Sequence, residues 1–201
     1  MEITKLEIQK NNKDRVNLYL DEKYYSGISL ELVVREHLKV GLDIDEEYLR
    51  NLILEDEKGK ALAKAIKYIG TNLKTAKQLR DYLRKKDYNP NTINYVMDKL
   101  IEYNYLDDEN YARAYVLTYS TKYGKLKLKS QLKSKGVSDE IIDKYLDTAN
   151  IDSIEKVALK YMKNREFTYE NCQKLSRFLY SRGYEFDEIN SLVNRLKEEN
   201  E

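Results

Sequence analysis

Lys77, Arg80 and Arg84 recur at three- and four-residue spacing, so a helix would gather all three on one side. Leu79 and Leu83 would then point roughly the other way. Lys129 and Lys133 lie 49 residues beyond Arg80 and Arg84, and Lys86, Lys135 and Arg182 share one further position. Lys122, Lys125 and Lys127 extend the group. Residues 60–86 hold nine basic residues against one acid, and residues 110–138 hold seven against none. Such side chains bind phosphate oxygens or an acidic protein surface. The plainer reading is a solvated helix face. Yet like charges crowded without interleaved acids repel one another, which favours an anionic partner.

No other group of residues supports catalysis. Asp107 and Asp108 form a carboxylate pair, but they stand just before a predicted helix, where capping explains them. His37 is the single histidine and Cys172 the single cysteine. That count excludes an internal disulfide framework and a cysteine-based zinc site. Seven glycines are scattered, and neither GxGxxG nor GxxxxGK[ST] occurs. The expectation is therefore a protein that is not an enzyme, with no catalytic residue, no metal site and no cofactor. Tyrosine is unusually frequent, with 19 Tyr against three Phe and no Trp. Exposed tyrosines could stack bases, but Tyr111, Tyr115 and Tyr145 fall at core spacing and are read as half-buried helix contacts.

The elements that carry these residues repeat. Residues 79–96, 128–145 and 175–192 align without a gap. Leu79, Leu128 and Leu175 share one column, and Leu83, Leu132 and Leu179 another. Asp87, Gly136 and Gly183 follow, then Ile93, Ile142 and Ile189. Steps of 49 and 47 residues are in the range of stacked supersecondary units. Each unit reads as three helices. In the first, these run over 60–70, 74–86 and 90–104, the third opening at the cap-plus-proline pair Asn89–Pro90. Gly136 and Gly183 read as helix C-caps. Units of this size bury little alone, so neighbours must share a core.

The N-terminal part differs. Residues 3–20 alternate apolar and polar around Asn11–Asn12, which predicts a β-hairpin. Ser29 reads as a helix N-cap with Gly41 beyond that helix's end, and Asp45 caps the next one. Residues 1–57 carry eight basic against fourteen acidic residues, net −6, although the whole chain is only +1. The expected division is a hairpin-plus-helix module over 1–57 and three-helix repeats over 58–106, 107–150 and 151–201. The opening residues lack a signal-peptide pattern, and no apolar run is long enough to span a membrane. A soluble cytoplasmic protein is expected.

Residues 104–116, NYLDDENYARAYV, followed by 127–137, KLKSQLKSKGV, resemble the RecX regulatory proteins of bacteria. The opening ITKLEIQKNNKDRVNLYL is also similar to that of the longer members. Asn104 and Asp87 stand where glycines are usual. The resemblance implies an elongated array of three-helix repeats. It also implies binding of RecA in the helical groove of its filament on single-stranded DNA, limiting filament growth, ATP hydrolysis, strand exchange and co-protease activity.

The sequence predicts a mainly α protein: tandem three-helix repeats in an elongated array behind a small N-terminal β-hairpin/helix module. Its expected function is modulation of RecA in DNA recombination, repair and the SOS response. Expected partners are the RecA filament and, through phosphates, single-stranded DNA; a monomer and no membrane contact are expected. The rival reading is a helix-turn-helix-like DNA-binding regulator acting without RecA. The acidic third helix of the second repeat, DEIIDKYLD, counts against it.

Overall fold

The computed structural model describes residues 1–149 and 151–199. The chain forms two units, Met1–Thr71 with Tyr82–Lys99, and Asn72–Asp81 with the residues from Leu100 onward.

The first unit opens with an antiparallel sheet of order β1-β2-β3, made of β1 (Ile3–Gln9), β2 (Asn12–Leu20) and β3 (Lys23–Ser29). Val16, Leu18 and Leu20 alternate along β2 and are buried with Ile3 and Ile28, so one face of the sheet is apolar. The sequence pattern predicts only the first two strands. The third is added through a two-residue turn, Asp21–Glu22, in which both residues have positive φ (46° and 65°). That is the geometry that suits tight hairpins, and it is reached here without asparagine or glycine. Neighbours hold the turn: the Asp21 carboxylate accepts the Glu2 amide at 2.9 Å, and the Glu22 amide donates to Thr4 Oγ1 at 2.9 Å.

Ser29 caps α1 (Leu30–Arg35) as expected, its hydroxyl oxygen accepting the Leu32 amide. This helix ends earlier than the glycine pattern implies. His37 takes a left-handed φ of 50°, and Gly41 lies in a later turn. Asp45 caps α2, which runs unbroken from Glu46 to Ile69. The segment expected as a separate helix over 60–70 is thus the C-terminal half of α2, and a division after residue 57 falls inside it. Gly59 lies within α2 without breaking it, and the part-buried Asp56–Lys60 pair spans it.

The repeats follow, with α3 (Ala76–Arg84) and α4 (Pro90–Glu102) closing the first. The second comprises α5 (Asp108–Tyr119), α6 (Lys125–Ser134) and α7 (Asp139–Thr148), and the third α8 (Ile154–Met162), α9 (Tyr169–Arg182) and α10 (Phe186–Glu198). The aligned leucines 79, 128 and 175, and 83, 132 and 179, are all fully buried, and the aligned isoleucines are nearly so. Each such side chain contributes roughly 1.5–3 kcal/mol by leaving water.

Helix two of every repeat ends in the same way. Tyr88, Val137 and Tyr184 amides donate to the carbonyls of Leu83, Leu132 and Leu179. Asp87, Gly136 and Gly183 sit one residue earlier at φ 59°, 88° and 88°. This is the left-handed helix-ending motif, and Asp87 adopts it in place of glycine because a short polar side chain tolerates that region. Asn104 does the same after α4, at φ 56°. The chain is therefore mainly α, with tandem three-helix repeats and a small N-terminal sheet module.

Candidate functional site

The eleven predicted cations are placed in distinct settings. Lys125, Lys129 and Lys133 project from α6 one turn apart. They meet Asp147, Asp143 and Asp139 of α7 at 3.0, 2.5 and 2.8 Å. Two antiparallel helices are thus joined by three rungs, each four residues from the next. The hydrogen bond to Asp143 raises the Lys129 pKa above the ordinary lysine value. The acids of this ladder lie beyond residue 138, so the acid-free stretch 110–138 borrows its counter-charges from the next helix. All six side chains remain substantially exposed.

Lys77 and Lys127 serve the joints between repeats instead. Lys77 Nζ donates to the Ser134 carbonyl at 3.1 Å and Lys127 Nζ to the Ser181 carbonyl at 2.6 Å. The two acceptors occupy equivalent positions in successive repeats. Beside them, Thr75 Oγ1 donates to the Lys135 carbonyl at 2.6 Å and the Gly124 amide to the Arg182 carbonyl at 2.8 Å. The start of α3 therefore receives the end of α6, and the start of α6 the end of α9. At the second joint the Gly124 and Leu126 amides, at the start of α6, meet the Arg182 and Gly183 carbonyls at the end of α9, whereas at the first the donors are side chains. Asp108 supports the first joint from the start of α5 by accepting the Ala76 amide at 2.8 Å. Burial pushes its carboxyl above the usual range, against that hydrogen bond. Asp107 caps its own helix, accepting the Asn110 amide. Both aspartates are thus occupied with backbone groups.

Of the six remaining cations, Lys86, Lys122, Lys135 and Arg182 lie over aromatic rings. Lys86 approaches Tyr82, and Lys135 approaches Tyr115. Lys122, Lys127 and Arg182 converge on Tyr123 within 4.8–5.8 Å of its centroid. Arg80 is half-buried and Arg84 exposed on α3, and both engage neighbouring groups. The structure thus gathers Lys125, Lys129 and Lys133 in one row and Lys122, Lys127 and Arg182 around one ring. Lys77 and Lys135 stand at the joint of the first and second repeats.

Residue types alone did not reveal two features. One is the aspartate row of α7, legible only once α6 and α7 are placed antiparallel. The other is a tyrosine ladder that begins on α5: Tyr111, Tyr115 and Tyr119 on the helix and Tyr123 in the loop after it follow at four-residue spacing, with centroids 6.0, 4.6 and 5.8 Å apart. Tyr111 is buried and Tyr115 half-buried, its hydroxyl donating to Gln131 Oε1 at 2.7 Å. Burial, with Tyr119 alongside, pushes the Tyr115 pKa up to about 12. Four-residue spacing was the available signal. Cys172 is buried in the core of the third repeat, and His37 is exposed. No described helix is long and apolar enough to cross a membrane. Among the described residues, no group of three or more His, Cys, Asp or Glu could hold a metal ion.

Tandem helical repeats of this kind present extended surfaces rather than an enclosed pocket. Four family models match in order along the chain: the regulatory protein RecX N-terminal domain over residues 1–45, and the first, second and third RecX three-helix domains over 61–100, 107–146 and 149–193. The chain belongs to the RecX family of regulatory proteins. Relatives named regulatory protein RecX include one from Clostridium tetani, 37% identical over 96% of this chain and 94% of its own length. One from Clostridium botulinum strain Alaska E43 is 41% identical over 95% and 94%. A crystal structure of RecX from Lactobacillus salivarius is similar at TM-score 0.59 and 25% identity, covering 71% of this chain and 98% of that one. A crystal structure of a regulatory protein RecX shares the fold at TM-score 0.62 and 24% identity, over 96% and 98%.

Proposed function

We propose that this protein is a non-enzymatic regulator of the RecA recombinase that binds the RecA–single-stranded DNA filament in the cytoplasm. Binding limits filament growth, ATP hydrolysis and strand exchange, and so acts on recombination, repair and the SOS response. The family membership supports the regulatory role, and the lysine row of α6 supports the mode of contact. Lys125, Lys129 and Lys133 are held at regular spacing by exposed aspartates. Exposed ion pairs are weak, so a polyanion can replace the aspartates at small cost while gaining from counterion release. Arg80, Arg84, Lys86 and Lys135 are the further contacts expected to act through charge. A regulator acting without RecA would need a third helix that reads bases, and α7 presents aspartates there.

Co-sedimentation with preformed RecA–single-stranded DNA filaments, with naked DNA as control, tests the reading. The protein should pellet with the filament and lower its DNA-dependent ATPase. The Arg80→Glu, Arg84→Glu, Lys129→Glu, Lys133→Glu variant should keep its helicity and lose the inhibition. Full inhibition by that folded variant would remove these charges from the mechanism.

A further inference from the structure

A cleft of about 670 Å³ opens where Thr121 and Lys122, just after α5, meet α8 and the end of α9. Its wall includes Val157, Tyr161 and Phe178, and its rim includes Lys122, Lys160 and Arg182. The two rings stack with centroids 4.4 Å apart. The Arg182 guanidinium lies 4.9 Å from the Phe178 ring centroid and 5.8 Å from that of Tyr123, and donates to the Lys122 carbonyl at 3.0 Å. A planar fork of donors is thereby fixed at the mouth of the cleft. The single carboxylate there, Asp152, is held by Lys156 at 2.7 Å. Lys122, Lys160 and Arg182 have no acidic partner among the described residues.

We propose that this cleft binds a nucleotide, its phosphate on Lys122, Lys160 and Arg182 and its base against Tyr161, Phe178 and Val157. Three cations around one concavity repel each other, and a phosphate of charge near −2 relieves this. Tyr161 and Phe178 stack on each other, with Arg165 over the first ring and Arg182 over the second, so with Val157 they offer a flat apolar body a packed apolar wall rather than a free ring face. A nucleotide carries both parts, and the volume suits a small ligand. An acidic peptide would match the charges but uses an open sheet edge or a long helical groove, and this cleft is neither. The ligand is a free nucleotide or one unit of a single strand, since the recognised chemistry is the same. The site does not depend on RecA being the partner.

The test is equilibrium binding of fluorescent adenosine monophosphate and of a short single-stranded thymidine oligonucleotide to the full chain. Inorganic phosphate and poly-glutamate serve as competitors. Saturable binding is expected, weakened about tenfold in Lys122→Ala, Lys160→Ala and several-fold in Tyr161→Leu, with inorganic phosphate a poor competitor. If the mononucleotide saturates, the ligand is free; if only the oligonucleotide binds and the lysine variant loses it, a strand supplies it. Absence of saturable binding by both probes overturns the site. So does wild-type binding by the folded lysine variant, or occupancy by poly-glutamate that nucleotide cannot displace. Filament co-sedimentation of the same variant is read separately: inhibition that survives loss of nucleotide binding leaves the proposed function standing.

Discussion

Lys129 Nζ lies 2.5 Å from Asp143 Oδ1, and this pair is the middle rung of a ladder in which α7 supplies the counter-charges for α6. Any anion that docks on the α6 lysines must therefore compete with carboxylates of the same chain. The ladder orders the lysines and lowers their net field together.

The variant Asp139→Asn, Asp143→Asn, Asp147→Asn should bind polyanions more tightly at low salt while staying folded, because exposed pairs add little stability. Three uncovered lysines should steepen the slope of log K against log salt on single-stranded DNA by about two. A salt titration by fluorescence anisotropy reads this directly. An unchanged slope would mean that these lysines do not meet phosphates.

Tyr115 should make the protein sensitive to alkali. Its hydroxyl donates to Gln131 and its pKa is about 12, against an ordinary value of 10.0. The folded state thus holds the proton more tightly than the unfolded chain. The corresponding stabilisation is complete below pH 10 and is lost as pH rises toward 12. Tyr115→Phe removes that dependence and costs about 1 kcal/mol at neutral pH through the lost hydrogen bond. Urea denaturation of both proteins between pH 8 and 12 should show the wild-type curve falling toward that of the variant.

Buried columns were legible because helical spacing and burial are one physical fact. Leu79, Leu128 and Leu175 line up in the sequence and are fully buried in the fold. Gly136 and Gly183 were legible as helix ends because few residues tolerate their φ. The β2–β3 turn was not, since Asp21 and Glu22 reach positive φ through hydrogen bonds to Glu2 and Thr4, far along the chain. Nor was the use of each cation. Lys127 and Lys129 differ by two positions on α6, yet one holds a backbone carbonyl of the next repeat and the other an aspartate of its own. Charge patterning shows that a lysine is present; packing decides what it meets.

Lys77 and Lys129 should therefore respond differently to removal of charge. Lys77→Met keeps the stem and loses the hydrogen bond to Ser134, a cost of about 1 kcal/mol. It should leave the salt slope for polyanion binding unchanged. Lys129→Met should reduce that slope by about one contact. Denaturation and salt titration on the same two variants separate the roles, and a lowered slope for Lys77→Met would return that residue to the contact surface.

Glycine replacements test the joint between the second and third repeats most sharply. Gly124 is buried, and a β-carbon on it would lie 2.5 Å from the Gly183 carbonyl oxygen. The oxygen is backbone and a β-carbon is fixed rigidly to backbone, so neither can swing aside, and α6 and α9 would have to separate. Gly124→Ala should cost about 1–3 kcal/mol, the range for overpacking a closed contact. Gly183→Ala adds conformational strain at φ 88° to a clash with Lys127 and should cost at least as much. Gly59 supplies the control: it lies within α2 with nothing near its would-be β-carbon. Gly59→Ala should stabilise by about 0.5–1 kcal/mol. Urea denaturation of the three variants should order them Gly59→Ala above wild type and both joint variants below it. A wild-type midpoint for Gly124→Ala would show that the two helix ends do not meet as closely as this geometry requires.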